Sequence, residues 1–167
     1  DLTETDAHSL TGHSGPVTYL DIDSSGNLLV SCGFDKTLRI WDIAKRKEID
    51  RLMVPEDAKG IRYVTFINER EVLAIGWAGQ AFVYNLETRK RVNFVGHRDA
   101  IEWATNIGDI TITASKDSTI RFWNKNGVCI DTINPSNSEL LSLDVSPADS
   151  LIAVGDGNGS IFLYNLS

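Results

Sequence analysis

Two sets of residues in this chain have the composition of a hydrolytic triad. The two sets are His13, Ser31 and Asp35, and His97, Thr113 and Asp117. In such a triad the histidine removes the proton of a hydroxyl nucleophile, and the nucleophile must reach solvent beside an oxyanion hole. A bond that builds the fold is expected to recur along a chain, whereas an active site need not. Because this set occurs twice, we predict structural hydrogen bonds and no catalytic residues.

The run Asp156-Gly157-Asn158-Gly159 resembles a calcium-binding loop. It lacks the spacing and the bidentate acidic residue of an EF-hand, and its glycines suit a tight turn. We therefore predict a hairpin turn. The chain has no phosphate-binding loop, dinucleotide fingerprint or zinc-ligand spacing, so we expect no metal and no cofactor.

The composition is that of a soluble globular domain with an acidic balance. Hydrophobic residues make up 42% of the 167 residues and the net charge is −7. This charge argues against nucleic acid as the primary partner and against an anionic membrane. No apolar run approaches the roughly 18 residues of a membrane span, and the polar start is no signal peptide. Cys32 and Cys129 read as reduced, largely buried thiols, so we expect an intracellular protein, cytoplasmic or nuclear.

The chain repeats itself with a period of about 40 residues, the range of propeller repeats. An aromatic residue followed by Asp or Asn closes a short run at Trp41-Asp42, Tyr84-Asn85, Trp123-Asn124 and Tyr164-Asn165. The spacings are 43, 39 and 41 residues. Gly-His occurs before the first of these runs and again two periods later. Four copies of one unit are therefore expected.

Each unit contains runs of the length and composition of β-strands. In the first unit they are residues 17–22, 28–32, 37–42 and 48–54. The runs are short and rich in Val, Ile and Thr, which favours strands over amphipathic helices. A four-stranded sheet of this kind is apolar on both faces and must pack between neighbouring sheets. We predict an all-β fold, a β-propeller of four-stranded antiparallel blades.

At these residues the chain resembles the WD-repeat family over nearly its whole length. Unit one carries Gly12-His13, Ser31, Asp35 and Trp41, and unit three carries Gly96-His97, Thr113, Asp117 and Trp123. The resemblance implies that His, Ser or Thr, Asp and Trp form a hydrogen-bonded tetrad within each of these two blades.

Units two and four depart from the family pattern. The Asp position becomes Ala78 and Asn158, and the hydroxyl position becomes Ala74 and Val154. Neither unit has its own Gly-His. We predict no full tetrad there and looser hydrogen bonding at that end of both blades.

The expected repeats are residues 10–47, 48–88, 89–127 and 128–166, with 1–11 as a preceding outer strand. Rings in the family commonly have seven or eight blades. Three arrangements therefore stay open: part of a longer propeller, an eight-bladed ring of two copies, or a closed four-bladed ring. An open end would expose apolar sheet faces that something must cover.

The resemblance also implies a docking surface at the turn between the second and third strands. Seven residues before each closing aromatic stand Phe34, Trp77, Lys116 and Gly157. At the start of the first strand, Arg62 and Glu102 align with Thr18. Large aromatics at turn tips are typical interface anchors. Our hypothesis is a peptide or protein site using Phe34 and Trp77, with Arg62, Glu102 and Lys116 setting specificity. The alternative is that both rings fold over their own blade or cover a missing neighbour.

Two further groups of residues have equivalent places in different units. Tyr19, Tyr63 and Trp103 align within the first strands, where we predict packing. The basic runs 45–47 and 89–91 follow the third strands and should share one face. They are either solvated turns or a docking site for an acidic or phosphate-bearing partner.

The favoured function is a scaffold that docks other proteins or peptides within a larger intracellular complex. Its other partner would be the remaining propeller blades or a second copy. The alternatives are a reader of methylated or phosphorylated peptides and a propeller enzyme. An enzyme would need convergent ionisable groups along the channel, and none is clustered or repeated in this sequence.

Overall fold

A computed structural model of the protein describes residues 7–55, 58–146, 148 and 151–166. It contains fifteen β-strands in these ranges, and no α-helix is present in them. The described part of the chain therefore contains no helix able to cross a membrane.

The strands form four antiparallel sheets that follow one another along the chain. The first sheet contains β1 (Val17–Ile22), β2 (Leu28–Gly33), β3 (Thr37–Asp42) and β4 (Lys47–Met53). The second contains β5 (Ile61–Asn68), β6 (Glu71–Gly76), β7 (Ala81–Asn85) and β8 (Arg91–Phe94). The third contains β9 (Ile101–Ile107), β10 (Ile110–Ser115), β11 (Ile120–Asn124) and β12 (Cys129–Ile133). The fourth contains β13 (Leu140–Ser146), β14 (Leu151–Asp156) and β15 (Ile161–Asn165).

These sheets are the blades of a β-propeller, and the predicted fold class is confirmed. Within each blade the strands are hydrogen-bonded in chain order. Contacts between blades are concentrated on the first and second strands, which therefore lie nearest the common axis. The fourth blade has three strands in the described part of the chain. Each sheet is offset by one strand from the expected repeat, since β4 belongs to the first sheet but falls in repeat 48–88.

Three apolar clusters join the blades to one another. Val30, Leu38 and Ile40 of the first blade pack with Val64 and Phe82 of the second, and all five are buried. A second cluster joins blades two and three, and a third joins blades three and four. The β-branched residues of the second and third strands thus bury both faces of the inner blades, as the strand composition predicts.

The expected outer strand at residues 1–11 lies mainly outside the described residues. Residues 7–11 are described and form no strand. The two cysteines differ from one another. Cys32 is buried, and burial raises the pKa of its thiol to about 11, whereas Cys129 is only partly buried. Both are free thiols, but the expectation of a largely buried thiol is wrong for Cys129.

Candidate functional site

The first candidate tetrad is joined by short hydrogen bonds that link β2 and β3 of the first blade to the loop before β1. His13 Nδ1 lies 2.8 Å from Asp35 Oδ2, and His13 Nε2 lies 2.7 Å from Ser31 Oγ. The indole N–H of Trp41 donates to the same Ser31 oxygen at 2.8 Å. Because the Asp35 carboxylate can only accept, His13 carries its proton on Nδ1 and accepts the Ser31 proton at Nε2.

The third blade repeats this arrangement with a threonine. His97 Nδ1 lies 2.9 Å from Asp117 Oδ2, and its Nε2 lies 2.7 Å from Thr113 Oγ1. The Trp123 indole donates to Thr113 Oγ1 at 2.8 Å. Burial lowers the pKa of His97, and the neighbouring Asp117 only partly offsets this effect. Burial by itself raises the pKa of Asp117, but hydrogen bonds from Thr119, the Arg98 amide and His97 lower it to about 2.

These tetrads have the hydrogen-bond connectivity of a catalytic triad, but their hydroxyl groups do not reach solvent or a substrate. Ser31 and Thr113 are buried, with relative exposures of 4% and 0%. Each hydroxyl also accepts an indole N–H, which occupies a lone pair that a nucleophile would use for attack. The geometry therefore suits a bond that ties the second and third strands to the loop before the first. It does not suit acyl transfer.

The second blade replaces the missing tetrad by other bonds. The closing residue Tyr84 is buried, and its hydroxyl donates to Asp50 of the first blade at 2.7 Å. Burial and this carboxylate raise the pKa of Tyr84 to about 12. At the tight turn the Gln80 side-chain oxygen accepts the Ala78 amide at 3.0 Å. The sequence pattern did not reveal Asp50 or Gln80, because neither stands at a family position.

In the fourth blade the Asp156-Gly157-Asn158-Gly159 run forms the turn between β14 and β15. The Asp156 carboxylate accepts the amides of Asn158 and Ser160 at 3.0 and 2.9 Å. Gly159 has a φ of +85°, which favours glycine. The carboxylate is thus used by its own turn. Among the described residues, no group of three or more His, Cys, Asp or Glu side chains is placed to hold a metal ion.

The four turn residues that align in sequence have one backbone bond in common. Their amides donate to the residue just before the first strand of the same blade, at Pro16, Gly60, Ala100 and Glu139, over 2.9 to 3.5 Å. The donors are Phe34, Trp77, Lys116 and Gly157. These turns and the segments that precede the first strands therefore lie at one end of the blades, which we call the upper face.

Phe34 and Trp77 meet across the boundary between the first two blades. Their rings are nearly parallel, with centroids 6.0 Å apart and an interplanar angle of 10°. Phe34 is 50% exposed. The Arg62 guanidinium carbon lies 4.4 Å from the centroid of Trp77, and Arg62 forms an ion pair with the buried Glu102 of the third blade. These four side chains, which we call the aromatic cluster, form a continuous row over three blades.

Lys116 lies beside the aromatic cluster across a shallow pocket of about 390 Å³. The pocket is lined by Phe34, Lys59, Trp77, Asp99, Ala100 and Lys116. Lys116 Nζ is 3.0 Å from a carboxylate oxygen of Glu139 in the fourth blade. All five residues of the sequence hypothesis are therefore brought together on the upper face. Lys59, Asp99 and Glu139 were missed, because each stands in the irregular segment before a first strand, where the repeats have different lengths.

Two buried polar atoms at this site have no hydrogen-bond partner in the described part of the chain. They are Trp77 Nε1 and Glu102 Oε1. An unpaired buried polar group costs about 1 to 3 kcal/mol, so such groups are uncommon in a folded core. The indole of Trp77 is consequently held by Phe34 and Arg62 on its faces and by no polar bond of its own.

Tyr19, Tyr63 and Trp103 form a second row of rings on the innermost strands. The Tyr19 and Tyr63 centroids are 4.4 Å apart, and those of Tyr63 and Trp103 are 5.5 Å apart. Each ring packs on the ring of the next blade, which is the packing role that the sequence predicts.

The basic runs 45–47 and 89–91 are engaged locally at the opposite end of the blades. Lys45 pairs with Asp42 at 2.7 Å, and Arg89 lies 3.6 Å from Asp50. The Arg91 guanidinium lies over Phe82. Because three of these cations have partners within their own blade or the adjacent one, the bonds favour the interpretation as solvated turns.

The repeat signature is found independently in known proteins. A family model described as "WD domain, G-beta repeat" matches residues 4–42 and 127–165. The chain belongs to the WD-repeat family. The second match covers the fourth WD blade, which lacks the tetrad, so the strand pattern alone is sufficient for recognition there.

Several WD-repeat relatives share moderate sequence identity with the chain. It is 33% identical to "Periodic tryptophan protein 2 homolog" of Schizosaccharomyces pombe over 60% of the present chain. It is 28% identical to "Transcription factor unc-37" of Caenorhabditis elegans over 93%. It is 25% identical to "Autophagy-related protein 16" of Arabidopsis thaliana over 96%. The chain spans 12%, 26% and 33% of these proteins, respectively.

Two computationally designed proteins have the same β-propeller fold. Ika4 superposes with a TM-score of 0.83 over 95% of this chain and 96% of its own. Ika8 superposes with a TM-score of 0.79 over 95% of this chain and 48% of its own. The sequence identity is 22% in both cases, so the likeness concerns the fold alone.

Proposed function

We propose that this WD-repeat chain is a non-catalytic docking platform that binds a peptide or protein partner at the aromatic cluster, inside the cell. The observation that carries the proposal is the stacked pair of Phe34 and Trp77, which projects from two turns of adjacent blades and leaves Phe34 half exposed. Exposed, rigid aromatics beside a pocket are typical anchors of protein interfaces.

The charges around the pair indicate how a partner would be oriented. Lys59, Lys116 and Asp99 line the pocket, while Arg62 and Glu102 neutralise each other at its margin. A partner with an apolar side chain for the rings and a carboxylate or backbone carbonyl for the lysines fits this surface. Since Arg62 already lies over Trp77, a methylated lysine would meet a like charge there, which weighs against a methyl-lysine reader.

The experiment uses a defined ligand selected from a random peptide library against the whole chain. Phe34→Ser combined with Trp77→Ser should weaken binding of the selected peptide at least tenfold by fluorescence polarisation, because two anchors are lost. Val95→Ser is the matched control, since Val95 is 83% exposed and lies outside the pocket.

Melting temperature separates this proposal from a purely structural role. We expect the double variant to melt within a few degrees of the unsubstituted chain, because Phe34 is half exposed. If binding persists, or if it falls only together with the melting temperature, the aromatic cluster is not the docking site.

A further inference from the structure

The pocket beside the aromatic cluster has more cations than anions in its wall, whereas the whole chain has more anions. Among the pocket's lining residues, Lys59 and Lys116 are cationic and Asp99 is anionic. The whole chain has 16 Lys and Arg residues against 23 Asp and Glu residues. The pocket therefore concentrates positive charge on an acidic molecule, which favours an anionic partner at this place.

Other charged groups beside the pocket are engaged within the chain. Arg62 forms an ion pair with Glu102, which is only 6% exposed, so these two charges neutralise each other below the surface. One carboxylate oxygen of Asp99 accepts the Ala100 amide at 2.7 Å. Lys59, by contrast, is exposed and has no hydrogen bond or ion pair among the described residues. The lysines are thus the cations of the pocket wall that a partner can reach.

Lys116 already binds a carboxylate, which belongs to the next blade. Its Nζ lies 3.0 Å from Glu139 Oε2, and this contact raises the pKa of Lys116 above its ordinary value. The side chain of Glu139 is 53% exposed. An exposed ion pair of this kind contributes little to stability. A carboxylate from a partner can therefore replace Glu139 on Lys116 with little loss.

The fold at this place does not depend on the two side chains. The Lys116 amide donates to the Ala100 carbonyl at 2.9 Å, and the Glu139 carbonyl accepts the Gly157 amide at 2.9 Å. Both are backbone bonds, so they persist whichever side chains the two positions carry. The Lys116–Glu139 ion pair is consequently free to exchange without disturbing the turns.

The apolar part of the pocket lies directly beside Lys116. Ala100 is 5% exposed and accepts the Lys116 amide, and the rings of Phe34 and Trp77 complete the apolar wall. An extended peptide advances about 3.3 Å per residue. A peptide with an apolar side chain on the rings therefore reaches Lys116 with a side chain one or two residues away.

We propose that the partner of the aromatic cluster is an acidic peptide segment, with Asp or Glu within two residues of an apolar anchor, and that its carboxylate displaces Glu139 from Lys116. Glu139 is then an internal competitor that lowers the affinity for an anionic partner. The inference rests on the proposed docking function and narrows it, because a neutral peptide can also dock on the rings.

The probes are the peptide selected for the docking experiment and a copy of it in which each Asp or Glu is replaced by its amide. We expect the selected peptide to contain an acidic residue beside its apolar anchor. The amide copy should bind at least fivefold more weakly by fluorescence polarisation, because a charge-assisted hydrogen bond is lost.

Lysine substitutions test whether the pocket is the origin of this difference. Lys59→Met combined with Lys116→Met should make the two peptides bind equally, because no lysine is left in the wall to distinguish acid from amide. The matched control is Lys45→Met with Lys125→Met, which removes the same charge at exposed lysines outside the pocket and should preserve the difference.

Glu139→Gln tests the internal competitor. This variant should bind the acidic peptide about twofold to fivefold more tightly, the range expected for an exposed ion pair. Its affinity for the amide copy should not change. Asp109→Asn is the matched control, since it releases Lys125 from an exposed ion pair elsewhere on the surface and should alter the binding of neither peptide.

The outcomes separate this inference from docking itself. A selected peptide without Asp or Glu, equal binding of the amide copy, or an unchanged affinity after Glu139→Gln would overturn the inference. If Phe34→Ser with Trp77→Ser still weakens binding tenfold in such a case, the aromatic cluster remains a docking site, but for a neutral partner. The comparison of the two peptides uses the unsubstituted chain, so it decides the question even where a variant fails to fold.

Discussion

At the scale of single residues, the histidine of the third-blade tetrad is held in its neutral form. His97 is enclosed between Asp117, Thr113 and Trp123, and burial lowers its pKa below the ordinary value of 6.5. The neutral ring can then donate to the carboxylate and accept from the hydroxyl at the same time. Protonation would remove the acceptor that Thr113 needs, so the bond that closes the blade depends on the neutral form.

This protonation state predicts a loss of stability in acid. As pH falls below 6.5, the unfolded chain binds a proton at His97 that the folded chain does not, so the free energy of unfolding falls until the lowered pKa is reached. Asp117 contributes a second loss of about 2 kcal/mol as pH falls from 3.8 towards its pKa of about 2. Urea unfolding between pH 2 and 7 measures both effects.

The exposed His8 supplies the control for this pH dependence. His8→Gln should leave the profile between pH 4 and 6.5 unchanged, whereas His97→Gln should flatten it and lower stability at neutral pH. An NMR titration that places the midpoint of His97 at or above 6.5 would contradict the argument.

At the scale of strands and turns, the sequence predicts the features that recur in several units. It misses the bonds that occur in one unit only. The strand runs and the residues of both tetrads are visible because the chain repeats them at fixed spacing. The bond from Tyr84 to Asp50 is invisible, because it joins two blades at positions with no equivalent in other units. The stacking of Phe34 on Trp77 could not be predicted from the sequence either. Alignment places both rings at turn tips but does not fix their rotamers.

The tight turn of the second blade is in close contact with the loop that carries His97 of the third-blade tetrad. Gly79 has a φ of +77°, and an added Cβ would lie 2.7 Å from the His97 carbonyl oxygen. Gly26 has a similar φ of +73° with no atom within 4 Å. The two glycines thus share a backbone conformation and differ only in the space around them.

This difference predicts unequal effects of the same substitution. Gly26→Ala should lower the free energy of unfolding by about 1 kcal/mol, the penalty of a left-handed conformation. Gly79→Ala should lower it by more than about 2 kcal/mol, because the backbone of the next blade must also move. Chemical denaturation of both variants measures the two free energies of unfolding. Equal losses of stability would show that the turn does not press on the tetrad loop.

At the scale of the whole molecule, stability is distributed along a row. In the described part of the chain the main contacts between blades join neighbouring blades, so the inner blades are supported on two faces and the end blades on one. In such arrays, local unfolding begins at the ends.

Hydrogen exchange should resolve this distribution strand by strand. Amides of β6 and β10 should exchange most slowly and those of β1 and β15 most rapidly. Uniform protection of all four blades in single chains would contradict the stacked-row description.

On the upper face, backbone hydrogen bonds fix the turns, whereas the side chains at the turn tips can vary. Phe34, Trp77, Lys116 and Gly157 are anchored through their amides, so the anchoring does not depend on which side chain each position carries. Four unrelated residue types already occupy this one place in a single chain. Binding preference can therefore diverge by point substitution while the framework is conserved, and a library randomised at these four positions should yield folded proteins with new specificities.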